Sequence, residues 1–236
     1  MKLYKFQSVN DNSISSLTDL SLYFSDSKQL NDPTESIFKL LDLDVSDKYS
    51  PDISNLENIG ILSMAIESGD VKVDESPFMW AHYGDELKGF CLVFDYELLL
   101  KTMKSDSLLY DRVEYLKYPR IISGSNLINE KSGLEEVAGC EFKNQNSNRV
   151  FKTCFFSKPL EFINEREFRF IAESKGGRSY SSDSLLSIII GDKMKKPQRE
   201  RLLNTVSSLG IDTQIKFART KNNSFKIHIE CSEYGL

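Results

Sequence analysis

Three apolar runs largely lack the alternation with polar residues that marks a strand with one face in water. They cover residues 59–66, 89–95 and 185–190. Short apolar runs of this kind are typical of strands buried in the middle of a sheet. We therefore expect a fold built around a central sheet, and a chain of 236 residues is long enough to bury a sizeable core.

The other patterns predict strands and helices that follow one another without a regular strand–helix–strand repeat. Further strands are predicted at residues 3–6, 22–24, 108–115, 165–172, 213–217 and 225–229. Helices are predicted at residues 13–20, 32–41, 76–83, 96–103, 125–156 and 195–209. This order predicts a single α+β domain over residues 1–236, with a mixed, mainly antiparallel sheet and flanking helices.

Composition narrows the classes of protein to which the chain could belong. Its formal net charge of −5 argues against a general nucleic-acid coat protein, which needs an excess of Lys and Arg. The N-terminus lacks the pattern of a signal peptide, and no stretch approaches the roughly 18 apolar residues of a membrane span. We therefore expect a cytoplasmic protein without a membrane partner.

Motifs exclude further classes. The four Cys residues have no C-x-x-C spacing, so no structural zinc site is predicted. The sequence has no Gly-rich phosphate loop, no G-x-S-x-G elbow and no H-E-x-x-H motif. Kinases, Rossmann dehydrogenases, α/β-hydrolases and zincins are therefore disfavoured.

Basic residues are concentrated near the C-terminus. Residues 193–226 hold nine Lys and Arg residues and two acidic residues. Such a segment could meet phosphate on a nucleic-acid acceptor or an acidic protein partner. It could equally be a helix and strand edges that face water.

The segment at residues 78–84 brings the only Trp and one of the two His residues together. His82 suits acid–base work because its unperturbed pKa lies nearest neutrality. Tyr83 and its aromatic neighbours could stack on a nicotinamide or a base. The alternative is a packed aromatic helix in which His82 is simply hydrogen-bonded.

A second candidate segment covers residues 165–170. Because side chains two apart in a strand share a face, Glu165, Glu167 and Arg169 are expected together, with the two carboxylates roughly 7 Å apart. Arg169 could hold a carboxylate charged or meet a phosphate. The alternative is an exposed ladder of ion pairs that contributes little.

Two weaker candidate segments lie near the N-terminus. Lys5 and Ser25 are polar residues on the first two predicted strands, where strand pairing explains most of their neighbours. The sequence at residues 32–35 has the form of a helix cap, which leaves Asn31 free to bind a ligand. Lys5, Ser25 and Asn31 are therefore cofactor-binding candidates.

Taken in order, several segments resemble a bacterial family known as domain of unknown function 2971. They are residues 3–6, 22–25, 31–35, 79–84, 88–90, 165–169 and 188–191. The resemblance implies a member of the accessory gene pool of bacteria, which includes phage defence. The layout is also similar to that of ADP-ribosyltransferases, where a late Glu-x-Glu is the acidic element.

This second resemblance implies NAD as the cofactor, bound in a cleft between the two halves of the sheet. Glu167 would stabilise the positive charge that grows on the ribose, and Glu165 would orient or activate a nucleic-acid or protein acceptor. His82 and Tyr83 would hold the ribose or the nicotinamide, and Lys5 or Arg169 a phosphate. Gln7 stands where the family usually has Arg.

Two other hypotheses stay open from the sequence. One is a nuclease-like effector in which a divalent metal is shared by acidic residues of the two segments, namely Asp32, Glu35, Glu165 and Glu167. The other is a non-enzymatic module that senses or neutralises a phage product or toxin through its aromatic helix.

Overall fold

The computed structural model describes residues 1–26, 30, 39–41, 59–67, 69, 72–103, 108–119, 121–123 and 155–231, with the backbone alone for 39–41 and 121–123. The strands are β1 Lys2–Gln7, β2 Ser21–Phe24, β3 Lys39–Leu41, β4 Gly60–Ile66, β5 Phe90–Asp95, β6 Leu109–Arg112, β7 Glu114–Leu116, β8 Ile121–Ser123, β9 Ser157–Pro159, β10 Glu167–Ala172, β11 Gly176–Ser179, β12 Leu185–Gly191, β13 Gln214–Lys221 and β14 Ser224–Glu230. The α-helices are α1 Asp11–Thr18, α2 Pro77–His82, α3 Tyr96–Met103 and α4 Lys196–Leu209. Short 3-10 helices cover Asp85–Leu87, Leu160–Glu165 and Ser182–Ser184.

The main sheet has eight strands in the order β14-β13-β12-β5-β1-β4-β10-β6. Its pairs are antiparallel except β12 with β13, which run parallel and are connected through α4. This arrangement confirms the predicted α+β class and the mixed, mainly antiparallel sheet. Three pairs of short strands, β2 with β11, β3 with β8 and β7 with β9, stand outside the main sheet.

Both faces of the central strands are covered, as the three apolar runs predicted. In β5, Phe90, Leu92 and Phe94 point to one face, where α1, α3, α4 and β2 complete the larger core. Cys91 and Val93 point to the other face, where Trp80 of α2 packs. Because residues of both parities are buried, β5 reads as a continuous apolar run.

A break in the sheet separates β1 from β4. β1 pairs with β5 at all six of its positions, from Lys2 to Gln7. Its pairing with β4 covers only Leu3 with Ile66 and Tyr4 with Ala65. Beyond Tyr4 the Lys5 ammonium, rather than a backbone amide, reaches across and donates to the Ser63 carbonyl at 2.9 Å.

The structure corrects three element boundaries. β10 begins at Glu167, whereas the strand was predicted from Glu165, because Arg166 has a left-handed backbone (φ 49°) that interrupts extended pairing. Residues 39–41 of the predicted helix 32–41 form strand β3, which pairs with β8. The predicted strand at 108–115 is two strands, because β6 pairs with β10 whereas β7 pairs with β9.

Several predictions lie outside the described residues. They include residues 32–38 of one predicted helix and all but the last two residues of the predicted helix 125–156. The remaining predicted strands and helices are found within one or two residues of the expected ends, except that β13 runs four residues past its predicted end at 217. Within the described ranges, no helix is long and apolar enough to cross a membrane.

Candidate functional site

A cleft of about 860 Å³ opens at the break between β1 and β4. It is lined by residues of both layers: α1 and β2 on one side of the sheet, and α2, Lys158 and the segment 165–167 on the other. Clefts of a few hundred to about 1,000 Å³ are the usual size for small-molecule sites. Residues from opposite faces can meet here because the strands between them have separated.

Helix α2 presents His82 and Tyr83 to this cleft. Ser76 caps the helix by accepting from the Met79 amide at 3.3 Å. Trp80, which is 1% exposed, anchors the opposite side of the helix and donates through Nε1 to the Asp74 carbonyl at 2.7 Å. The helix is therefore a packed aromatic element that still leaves His82 exposed at the cleft wall.

The turn after α2 fixes its distance from β1. Asp85, Glu86 and Leu87 have φ values of 49°, 58° and 70°, a left-handed turn that is unfavourable for residues with a Cβ. At its end, a Cβ on Gly89 would lie 2.3 Å from the Gln7 carbonyl oxygen, so only Gly permits this close approach. Gly89 therefore allows the turn after α2 to pack closely against β1.

Glu165 ends the 3-10 helix Leu160–Glu165 and lies on the floor of the cleft, 5% exposed. The Tyr83 hydroxyl donates a short hydrogen bond to its Oε1. Burial and this hydrogen bond raise the pKa of Tyr83, which stays a neutral donor. The Oε2 atom of Glu165 contacts the Lys158 ammonium at 2.7 Å.

Glu167 lies beside Glu165 on the same floor and is 4% exposed. Its Oε1 accepts from Arg169 Nε at 2.5 Å, and its Oε2 contacts Lys158 Nζ at 2.9 Å. Burial alone would raise the pKa of Glu167, but Arg169, Lys158 and a hydrogen bond from Ser63 lower it to about 2. Glu167 is therefore a fixed negative charge at any working pH.

The structure places Arg169 behind Glu167 and not on the cleft wall. Arg169 is fully buried, and its Nη1 donates to the Phe155 carbonyl at 2.5 Å. Of the two roles predicted for it, the geometry supports holding a carboxylate charged. Glu165 and Glu167 likewise form a buried network, not an exposed ladder of ion pairs.

Sequence reasoning missed Lys158. It lies on β9, a strand of three residues that pairs in parallel with β7, and it is 9% exposed at the cleft floor. Burial by itself would lower its pKa, but the carboxylates of Glu167 and Glu165 raise it. The sequence Phe-Phe-Ser-Lys at residues 155–158 carries no motif, so the role of Lys158 emerges only when the chain is folded.

Lys5 and Ser25 also line the cleft. Burial lowers the pKa of Lys5, and the nearby Glu167 carboxylate opposes that shift. Ser25 is held through its backbone, whose amide and carbonyl both bond to Ile61, at 2.9 and 2.7 Å. Asn31 lies outside the described residues, as do Asp32 and Glu35 of the metal hypothesis.

The basic segment 193–226 is divided between α4 and the hairpin of β13 and β14 at the end of the sheet. Several of its cations contact acids. Arg201 lies 2.8 Å from Asp11, and Arg219 and Lys221 lie 3.6 and 3.3 Å from Glu230. The segment is therefore not one uncompensated patch.

No group of three or more His, Cys, Asp or Glu residues gathers as metal ligands in the part of the chain that the structure describes. Between Glu165 and Glu167, the position that a bridging cation would take is filled by the Lys158 ammonium.

Comparison with known proteins gives one match. No curated protein and no solved structure matches the chain significantly. None of the comparisons finds a likeness to ADP-ribosyltransferases, so that resemblance stays a prediction. The family described as "Protein of unknown function (DUF2971)" matches residues 79–170, which is less than half of the chain, and over this segment the chain is similar to that family. The matched segment includes most of α2, Lys158 and both site glutamates.

Proposed function

We propose that this protein transfers an ADP-ribosyl group from NAD to an acceptor. The observation that carries the proposal is the pair of carboxylates, Glu165 and Glu167, side by side on the floor of a large cleft. A carboxylate held ionised beside a reacting sugar stabilises positive charge that develops there. The pKa of Glu167, about 2, keeps it in that form.

The residues of the cleft fit a dinucleotide in size and chemistry. Its volume, about 860 Å³, lies in the range of sites for small molecules. Lys5 offers an ammonium to a phosphate from the wall formed by β1. On the opposite wall, His82 and Tyr83 offer rings that can lie against a nicotinamide or a ribose.

NAD supplies the ADP-ribosyl group: the ribose–nicotinamide bond breaks with its electron pair leaving on the nicotinamide nitrogen, and a bond forms from the ribose to the acceptor. Glu167 provides a fixed negative charge next to the ribose. Glu165 accepts the proton that the acceptor loses, and Tyr83 orients Glu165 through its hydrogen bond. The acceptor is a nucleic acid or a protein. The basic segment 193–226 does not favour one over the other, because its cations are divided between two elements.

The test is incubation of the purified protein with NAD labelled in its adenylate part, in the presence of a cell extract. We expect label to appear in the protein or nucleic-acid fraction. In Glu167→Gln this transfer of label should be at least about a hundredfold slower. Glu161→Gln, an exposed Glu on the same 3-10 helix as Glu165, is the matched control and should keep activity. Label that stays in NAD with the wild-type protein would sink the proposal.

A binding module is the second candidate, and one observation favours it. Both carboxylates are already engaged, Glu165 by Tyr83 and Lys158 and Glu167 by Arg169 and Lys158. Such a network can shape a binding cleft without taking part in a reaction. Cellular protection or toxicity that survives in a Glu165→Gln, Glu167→Gln double variant would favour binding over catalysis.

A further inference from the structure

One ammonium contacts both site carboxylates. Lys158 Nζ lies 2.7 Å from Glu165 Oε2 and 2.9 Å from Glu167 Oε2. All three side chains are less than a tenth exposed. Because the two acids come from different elements, a 3-10 helix and β10, Lys158 also joins those elements at the cleft floor.

Other groups also face the pair. Tyr83 donates to Glu165, and Arg169 contacts Glu167. Further neighbours are Tyr115, whose hydroxyl accepts from the Glu167 amide at 2.8 Å, Ser63, which hydrogen-bonds to the Glu167 carboxylate, and Lys5, whose charge acts on it. Without Lys158, two buried carboxylates would face each other with the Arg169 guanidinium beside Glu167.

We propose that Lys158 is a positioning residue that keeps Glu165 and Glu167 ionised together and turned toward the cleft. Two carboxylates that share a buried site do not both ionise near neutral pH unless a cation lies between them. Lys158 supplies that cation from within the chain. The catalytic meaning of the pair rests on the proposed function, but the charge state of the pair can be measured without any substrate.

The substitution Lys158→Met replaces the ammonium with an apolar side chain of similar length. We expect the pair to take up one proton, with an apparent pKa that belongs to the pair and not to one residue. Lys158→Arg keeps a cation and should leave both carboxylates ionised, so it is the matched control.

The measurement is the pH titration of glutamate carboxyl carbons by NMR, from about pH 5 to about pH 9. Lys158→Met should show one titrating signal that is absent from the wild type and from Lys158→Arg, and that disappears in Lys158→Met, Glu165→Gln. A folded Lys158→Met protein without this signal would overturn the proposal. So would a wild-type protein in which the pair already titrates in this range.

Loss of Lys158 could also unfold the protein, and the double variant keeps the proposal testable in that case. Lys158→Met, Glu165→Gln removes the second carboxylate together with the ammonium, so it should recover a folded state that Lys158→Met has lost. If the double variant is as unfolded as the single variant, like-charge repulsion is not the cause and the proposal fails.

Activity gives a separate readout. If NAD is consumed, the rate in Lys158→Met should rise with pH through the titration of the pair, whereas the rates in the wild type and Lys158→Arg should not. Equal pH profiles in all three proteins would overturn the positioning role. If the wild type consumes no NAD, the proposed function fails. The NMR titration still tests the role of Lys158, because it needs no substrate.

Discussion

The hydroxyl of Tyr83 ties α2 to the cleft floor, because it donates to a carboxylate 82 positions later in the chain. Tyr83→Phe removes this donor and leaves the ring in place. We expect a loss of about 1–2 kcal/mol in the free energy of unfolding, since Glu165 keeps Lys158 as a partner. Denaturant melts would measure it, with Tyr118→Phe, at a residue that is 72% exposed, as the control. Equal losses in both variants would contradict the assigned contact.

Asp74 is a residue where charge opposes folding. Burial raises its pKa, and the neighbouring carboxylates of Glu67 and Glu75 raise it further. A folded-state pKa above the unfolded value means that the ionised form destabilises the protein above that pKa, and that the cost disappears as pH falls below the unfolded value.

Asp74→Asn should therefore raise the melting temperature at neutral pH, and the gain should vanish in acid. Asp212→Asn, at an exposed position before β13, is the control and should change little. A gain that is the same at every pH would show that titration of Asp74 is not its cause.

Single residues differ in how far the sequence reveals them. His82 and the two glutamates stood out because their residue types carry chemistry and their neighbours form patterns. Lys158 and Ser63 did not, since an isolated Lys or Ser gains a role only from the side chains that folding brings to it. Arg169 was found, but its place behind Glu167 depends on which face of β10 meets the cleft.

At the scale of elements, the left-handed turn Asp85–Leu87 holds a conformational cost. Glu86→Gly should relieve part of it and raise the free energy of unfolding by up to about 1 kcal/mol, because Gly adopts positive φ without a steric penalty. Glu86→Ala removes the same exposed contact with Lys88 but keeps the penalty, so it is the matched control. Thermal melts that rank Ala at or above Gly would contradict this account.

Element boundaries show where pattern reading stops. The alternation in residues 165–170 predicted a strand that begins two residues before β10 does. A hydropathy pattern carries no information on the left-handed backbone of Arg166, which ends the strand there. The sequence Lys-Leu-Leu at residues 39–41 suits a helix or a strand equally, and its pairing with β8 decides the outcome. Caps were more reliable: Ser76 with Pro77 gave the start of α2 correctly.

At the scale of the whole molecule, the apolar runs predicted a central sheet covered on both faces, and the order of strands and helices without a regular repeat predicted the α+β class. The break between β1 and β4 did not follow, because strand pairing is set by distant partners. The break also determines where the cleft lies. The sequence therefore predicted several residues of the site but not the cleft in which they meet. That the whole chain is one domain stays a prediction.

A substitution of Lys5 tests whether the cleft at the break between β1 and β4 binds NAD. Lys5→Met should weaken binding of NAD by roughly tenfold or more, because a charge-assisted hydrogen bond contributes about 1.5–3 kcal/mol. Lys2→Met, at an exposed position on the same strand, is the control and should bind as the wild type does. Isothermal titration calorimetry would measure both. Unchanged affinity in Lys5→Met would remove Lys5 from the ligand site.

The short contact between β1 and β4 has a mechanical consequence. The main sheet has five strands on the β1 side of this contact and three on the β4 side, which we call its two leaves. The leaves are joined along a seam of two residue pairs. A ligand bound at the seam can change the distance between the leaves by lengthening only the few hydrogen bonds between β1 and β4. The strand register within each leaf stays intact. The width of the cleft is therefore set where neighbouring strands of the main sheet share the fewest residue pairs.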